Sequence, residues 1–264
     1  MAKTQAMAVS AAAQSIRSAY ETGKCCGPVR EALGDQDLDA AYAVQNLNTE
    51  HWLGDGRRLV GRKIGLTAKA IQAQLGVDQP DYGMLFADME VADGQEIAFD
   101  ALQQPRVEGE IAFCLDENLN SPDLTISDVI EAIDYAVPAI EVACSRIEGW
   151  NIKGVDTIAD NASAGMFVLG TRPASLDAFD HRLCGMVLEH RGEPVSVGAG
   201  AACLGNPLNA MLWLARKMVE VGRPLLAGDI VMSGALGPMV AAKPGEVYEV
   251  RISGLGSVRA VFSS

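Results

Sequence analysis

The sequence predicts an α+β protein, with helices gathered at the N-terminus and strands in the rest. Three observations predict it. Ala-rich and helically periodic stretches fill residues 1–56. From Leu59 onward, short apolar and β-branched runs alternate with Gly, Pro, Asn and Asp turns. The strand–helix alternation of a doubly wound sheet is missing, and no GxGxxG follows a predicted strand. A composition of 49% hydrophobic but only 5% aromatic residues means a core of aliphatics and alanine.

Residues 4–21 are Ala-rich with few breakers and predict a helix, ended by Gly23-Lys24-Cys25-Cys26-Gly27-Pro28. Met1 to Ala13 faintly resembles a signal peptide, but Gln5 and Ser10 interrupt it and no Leu-rich run follows. A second helix follows Gly34, with Ala40, Val44, Leu47 and His51 on one stripe. Gly54-Asp55-Gly56 is a turn. Residues 1–56 thus read as a helical segment leaning on a main domain of residues 57–264.

Leu59 to Leu66 predicts a strand, with Thr67 capping a short helix that ends before Gly76. Gln79-Pro80-Asp81-Tyr82-Gly83 predicts a turn. A helix is expected from Ser127 to about Tyr135, stopped by Pro138, and a short strand from Ala139 to Cys144. Asp156 to Ser163 reads as a polar loop before the strand Met166 to Leu169. A hairpin turns at Arg191-Gly192-Glu193. Asn206-Pro207 opens the clearest helix, with Gly222 just past its end. Strand Ile230 to Met232, loop Ser233 to Pro238, a hairpin turning at Lys243 to Glu246 and strand Val258 to Phe262 complete the chain.

The chemistry centres on Arg106-Val107-Glu108-Gly109-Glu110-Ile111-Ala112-Phe113. Side chains two apart on a strand share a face, so Glu108 and Glu110 point the same way. Two readings stand. A hard divalent cation offsets their repulsion, or the strand has a solvated acidic face. Glu141 is alone inside an apolar run, where a carboxylate is costly unless paired or bound to metal. Three converging glutamates would hold Mg²⁺ or Mn²⁺. An ion pair of Glu141 with Arg146 is the alternative. Lys63, in a glycine-flanked strand, is an ion-pair partner, a functional cation or a lysine reaching the surface. Asp81, Asp160 and Asn161 fit turn chemistry as well as a site. The Ser233-Gly234 loop offers free backbone N–H groups for a carboxylate, or is a tight turn.

The net charge of −13 argues against nucleic acid as a partner, and no stretch is long and apolar enough to span a membrane. Six scattered cysteines without CxxC spacing fit a reduced, cytoplasmic protein and argue against zinc. None of the three histidines falls in a segment with site character, which leaves a His-based triad without support.

Several stretches, in order, carry a resemblance: Gly61 to Thr67, Leu75 to Gly83, Glu108-Gly109-Glu110, Pro138 to Val142, Asp160 to Ser163 and Ala227 to Gly234. Together they resemble the 2-keto-4-pentenoate (2-hydroxypenta-2,4-dienoate) hydratases of the fumarylacetoacetate hydrolase superfamily, from about residue 57 to the C-terminus. Ser233 and Ala164 depart from the threonine and cysteine common there. The resemblance implies a mixed β-roll, a homo-oligomer and Mg²⁺ or Mn²⁺ on Glu108, Glu110 and Glu141. It implies Lys63 and Asp81 as catalytic groups, and Leu66, Asp160, Asn161, Ser163, Ser233 and Gly234 as substrate contacts. The implied substrate is a small 2-oxo or 2-hydroxydienoic acid from meta-cleavage of aromatics. Alternatives are 4-oxalocrotonate decarboxylase of the same family, to which a hydratase could also be bound in a complex, and a silent subunit that stabilises a partner enzyme.

Overall fold

A computed structural model describes residues 2–264; Met1, the first residue of the predicted helical segment, lies outside them. Three helices come first: α1 (Ala2–Thr22), the short α2 (Arg30–Leu33) and α3 (Leu38–Gly54). Asp37 caps α3 by accepting the Ala40 N–H at 2.9 Å. Val9, Ala13 and Ile16 of α1 and Ala41 and Val44 of α3 form a small apolar core. It is completed by Ile147, Val155 and Ile158 from much later in the chain. No helix among the described residues is long and apolar enough to cross a membrane.

The rest of the chain builds two sheets. In order come β1 (Leu59–Gly65), α4 (Lys69–Leu75), β2 (Asp81–Phe86), β3 (Glu90–Ala92), β4 (Glu96–Ile97) and β5 (Arg106–Leu115). Then follow α5 (Ile126–Ala132), β6 (Ile133–Ala143), α6 (Gly154–Ala159), β7 (Met166–Leu169), β8 (Gly185–His190) and β9 (Glu193–Ala199). The chain closes with α7 (Pro207–Glu220), β10 (Ile230–Met232), β11 (Val240–Ala241), β12 (Val247–Ile252) and β13 (Gly256–Phe262). The first sheet runs β2-β1-β10-β5-β6-β7-β3, with β11 also on β5, and the second runs β4-β13-β12-β8-β9. Parallel and antiparallel pairs mix in both.

The sheets meet at a glycine. Gly109 points away from its neighbours Glu108 and Glu110, because side chains alternate along β5. A Cβ there would lie 3.0–3.1 Å from the Val250 methyls and the Met186 sulfur of the second sheet. The Glu-Gly-Glu sequence therefore serves two surfaces at once: carboxylates on one side, sheet packing on the other.

Several expectations need correction. Thr67 does not cap α4; Ala68 precedes that helix without a side-chain cap, and Thr67 is buried. Asp81 to Gly83 is not a turn but the start of β2, paired with Gly65, Ile64 and Lys63 of β1. The helix after Thr125 stops at Ala132, and Pro138 sits inside β6 opposite Ile111, where its carbonyl still accepts the Gly170 N–H at 2.8 Å. Residues 156–163 are not a polar loop but the end of a buried helix and a tight turn. Residues 243–246 do not turn a hairpin, because β11 pairs with β5 while β12 pairs with β8 and β13. Apart from the cap, which is a local difference of one residue, the misses have one cause: the deciding partner lies far away in sequence. The hairpin at Arg191-Gly192 and the Asn206 cap of α7, set by local chemistry, are as expected.

Candidate active site

The strand register assembles the site. Glu108 lies directly across from Glu141 in the β5–β6 pair, and Glu110 lies opposite Ala139, beside Glu141. Lys63 reaches the same face through two pairings, opposite Met232 of β10, which is itself opposite Ala112 of β5. Asp81 joins from β2, opposite Gly65. All five side chains are buried, Glu110 completely.

The three glutamates each offer an oxygen within 4.8 Å of the others. Glu110 Oε2 accepts the Gly234 N–H at 2.8 Å. Glu110 Oε1, both Glu141 oxygens and both Asp81 oxygens are buried without a hydrogen-bond donor. Lys63 Nζ is 3.1 Å from Glu141 Oε1, a charge contact outside hydrogen-bond alignment, and donates to the Ala162 carbonyl at 2.9 Å. Four buried carboxylates thus face one ammonium. Burial, with the Glu141 charge beside it, pushes Glu108 up to about 8, and Glu110 is raised for the same reasons with Glu108 added. Burial pushes Asp81 up to about 6 against the pull of Lys63. Burial disfavours the Lys63 ammonium, yet Glu141, Asp81, Glu108 and Glu110 more than offset this and hold it above the ordinary lysine value.

The donor set fits a hard divalent cation. All its donors are carboxylate oxygens, several have no other partner, and their mutual repulsion is what such an ion relieves. Zinc's cysteine and histidine ligands are not in the cluster. The alternative partner for Glu141 is excluded. Arg146 is engaged by Asp160, with Nε to Oδ1 at 2.6 Å and the Arg146 N–H to Oδ2 at 2.9 Å.

A cavity of about 440 Å³ opens beside this cluster. Lys63, Asp81 and Glu108 give its lining a charged part, while Leu66, Ile71, Leu75, Ile152 and Met239 give it an apolar wall. Leu66 and Ser163, both expected as substrate contacts, line it. Asp160 is occupied with Arg146, Asn161 bonds the backbone of Met84, and Gly234 holds Glu110. The Ser233 hydroxyl is fully buried, accepting the Ile111 N–H at 3.2 Å and donating to the Gly234 carbonyl at 3.0 Å. Sequence reasoning missed Thr157, whose hydroxyl is 3.1 Å from that of Ser163 and also lines the cavity. It missed the Trp150 and Ile152 wall too, for which two large apolar residues in a short loop were the available signal.

Comparison with known proteins agrees with this geometry. The family model described as fumarylacetoacetate (FAA) hydrolase, C-terminal, matches residues 58–263. The chain is 59% identical over 256 residues to the TodF product hydratase of Pseudomonas putida strain F1, covering 97% of this chain and 96% of that one. It is 55% identical over 263 residues to 2-keto-4-pentenoate hydratase 1 of Dechloromonas aromatica strain RCB, covering 100% of each. Among solved structures, 4-oxalocrotonate decarboxylase from Pseudomonas putida G7, complexed with magnesium and adipate, superposes with a TM-score of 0.92 at 38% identity, covering 96% of this chain and 97% of that one. The curled mixed sheets, the buried glutamate cluster and these matches make the chain a member of the fumarylacetoacetate hydrolase family, in the group of the 2-keto-4-pentenoate hydratases.

Proposed function

We propose that this protein is a hydro-lyase that adds water to 2-hydroxypenta-2,4-dienoate (2-oxopent-4-enoate) or a C5-extended homologue, giving a 4-hydroxy-2-oxo acid. The carrying observation is the buried trio Glu108, Glu110 and Glu141, with donorless oxygens on Glu110 and Glu141 and with Glu108 lining a largely apolar cavity. In this reading the trio holds Mg²⁺ or Mn²⁺. Such a cation, when bound, supplies positive charge for the carboxylate and 2-oxygen of a 2-oxo acid and for negative charge growing on that oxygen.

The chain's own groups do the rest. Lys63, steered by Glu141 and the Ala162 carbonyl, adds a second positive charge beside the substrate's anionic head. Asp81, with both oxygens free and its pKa raised to about 6, carries protons. The enol O–H proton leaves, C5 gains a proton, and a 2-oxo-3-ene results. Water then adds its oxygen to C4, and C3 gains the remaining proton. The apolar wall keeps other water from the conjugated chain. Leu66, Thr157 and Ser163, which line the cavity, contact it in this reading, while Asp160, Asn161, Ser233 and Gly234 support the site from behind.

The lining favours hydration over decarboxylation of a dicarboxylate. Among the described residues lining the cavity, Lys63 is the only lysine, arginine or histidine, and it contacts Glu141 of the cluster. A second carboxylate would find no further cation among the lining residues. The reading extends to meta-cleavage of aromatics and to a cytoplasmic homo-oligomer. Six free cysteines and the exposed Leu183, Val195 and Val197 support the latter two. A complex with a sister decarboxylase is a further partner in this reading. The test offers the purified protein with Mg²⁺ freshly generated 2-hydroxypentadienoate and, separately, oxalocrotonate. Loss of dienol absorbance with a hydroxy-oxo acid product and no CO₂ supports the hydratase. CO₂ release makes it a decarboxylase, and no turnover of either makes it a silent subunit.

A further inference from the structure

The turn after α6 is costly in isolation. Asn161, Ala162 and Ser163 have φ of 53°, 50° and 55°. Left-handed backbone is unfavourable for L-residues, and Asn alone of these three is at ease there. Three in a row persist only where surrounding contacts fix them.

The contacts come from the strand that faces Lys63. Asn161 Oδ1 accepts the Met84 N–H at 2.7 Å, and Asn161 Nδ2 donates to the Met84 carbonyl at 2.9 Å. Both ends of the amide are thereby used, on a side chain that is buried. The Asn161 carbonyl packs so closely on Gly83 that a Cβ at Gly83 would lie 2.3 Å from it. Gly83 is the residue paired with Lys63, and Met84 is paired with Arg62. So the turn docks on β2 directly opposite the lysine. The next residue, Ala162, points its carbonyl at Lys63 Nζ, 2.9 Å away. The one after, Ser163, lines the cavity.

We propose that Asn161 is a positioning residue for Lys63: its amide latches the left-handed turn to Met84, and the latched turn aims the lysine through the Ala162 carbonyl. This deepens the hydratase reading and rests on it. It also gives Asn161 a different task from the substrate contact that the resemblance implies, since both amide heavy atoms bond Met84 and Asn161 does not line the cavity.

The test combines kinetics with a spectrum that does not depend on turnover. Asn161→Leu removes the latch, and Asn161→Gly removes it while keeping a residue at ease with positive φ, so the second carries the test if the first does not fold. Either should lower kcat by roughly 10- to 100-fold, as expected for a misplaced catalytic group. KM and the Mg²⁺-induced rise in melting temperature should stay close to the parent's. Added to Lys63→Met, the same change should cost little more, because its effect passes through the lysine. The chain has seven lysines. With ¹³Cε-lysine labelling, the Lys63 signal, identified by its loss in Lys63→Met, should shift in both Asn161 variants while the other signals stay. Independent, multiplying losses in the double variant would overturn the proposal. So would a raised KM with kcat and the Lys63 signal unchanged, which would make Asn161 a substrate contact. A parent enzyme that turns over no dienoate would fail the hydratase reading, while the Lys63 signal would still decide the latch.

Discussion

Glu108 is raised to about 8 chiefly by burial and then by Glu141, and both causes act on a carboxylate that is largely buried. In the unfolded chain the same group titrates near 4.5. The metal-free folded state therefore binds this proton more tightly than the unfolded state does. Its contribution to stability is present below about pH 4.5 and is lost as pH rises through 8. A divalent cation needs the deprotonated carboxylates and competes with that proton. Mg²⁺ affinity should accordingly rise between pH 6 and 8, within the range below the raised pKa. Calorimetry in buffers of different ionisation enthalpy should register proton release on binding; a pH-independent affinity would contradict the assignment. Glu108→Gln separates the two sides of this balance. It should lower Mg²⁺-dependent turnover by roughly 100-fold or more. It should also raise the melting temperature of the metal-free protein at pH 8, because one of the crowded charges is gone. A melt in chelator and a turnover assay with Mg²⁺ check the pair of outcomes.

At the scale of elements, the β5–β6 pair carries both the site and the junction of the two sheets. Register sets this: Glu108 opposite Glu141 on one face, and Gly109 against Val250 and Met186 on the other. Gly109→Ala would push a methyl to within 3.0–3.1 Å of Val250 and Met186. Overpacking of this kind costs roughly 1–3 kcal/mol. Thermal denaturation should show a lower midpoint. Because β5 must shift to relieve the contact, Mg²⁺ affinity should fall with it, although the added methyl lies on the opposite face from the glutamates. Unchanged affinity would mean that the two faces of the strand are mechanically independent.

At the scale of the whole molecule, the N-terminal helices are built into the site's support. The apolar core of α1 and α3 is shared with Ile147, Val155 and Ile158, which flank the Arg146–Asp160 pair. Gln45 of α3 donates to the carbonyls of Tyr82 in β2 and Ile158 in α6, at 2.8 and 3.1 Å. Both segments hold the turn that meets Lys63. A chain of residues 57–264 alone would expose these apolar side chains and leave the two carbonyls without their donor. It should be insoluble or molten, without a cooperative thermal transition. A soluble, cooperatively melting truncation would make the helices dispensable.

How much of this could be read from residues alone depends on the range of the forces involved. The period of a strand puts Glu108 and Glu110 on one face, which left a bound cation and a solvated acidic face as the two readings. Local chemistry likewise identified the Asn206 cap and the Arg191-Gly192 turn. Asp81 looked like a turn residue because Pro80 and Gly83 flank it; pairing with β1 made it a strand residue and left its carboxylate free. Thr157 and the left-handed turn were hidden in what read as a polar loop, since burial by α3 and β2 is invisible in a window of ten residues. Whether Glu141 would meet Arg146 or Lys63 was decided by which strand lies beside which. Composition and spacing by themselves determined the class and the acidic strand, because those follow from backbone geometry and the cost of burying charge. Only the tertiary structure chose the partners, because register between distant strands is set by the collective packing of both sheets and not by any one segment.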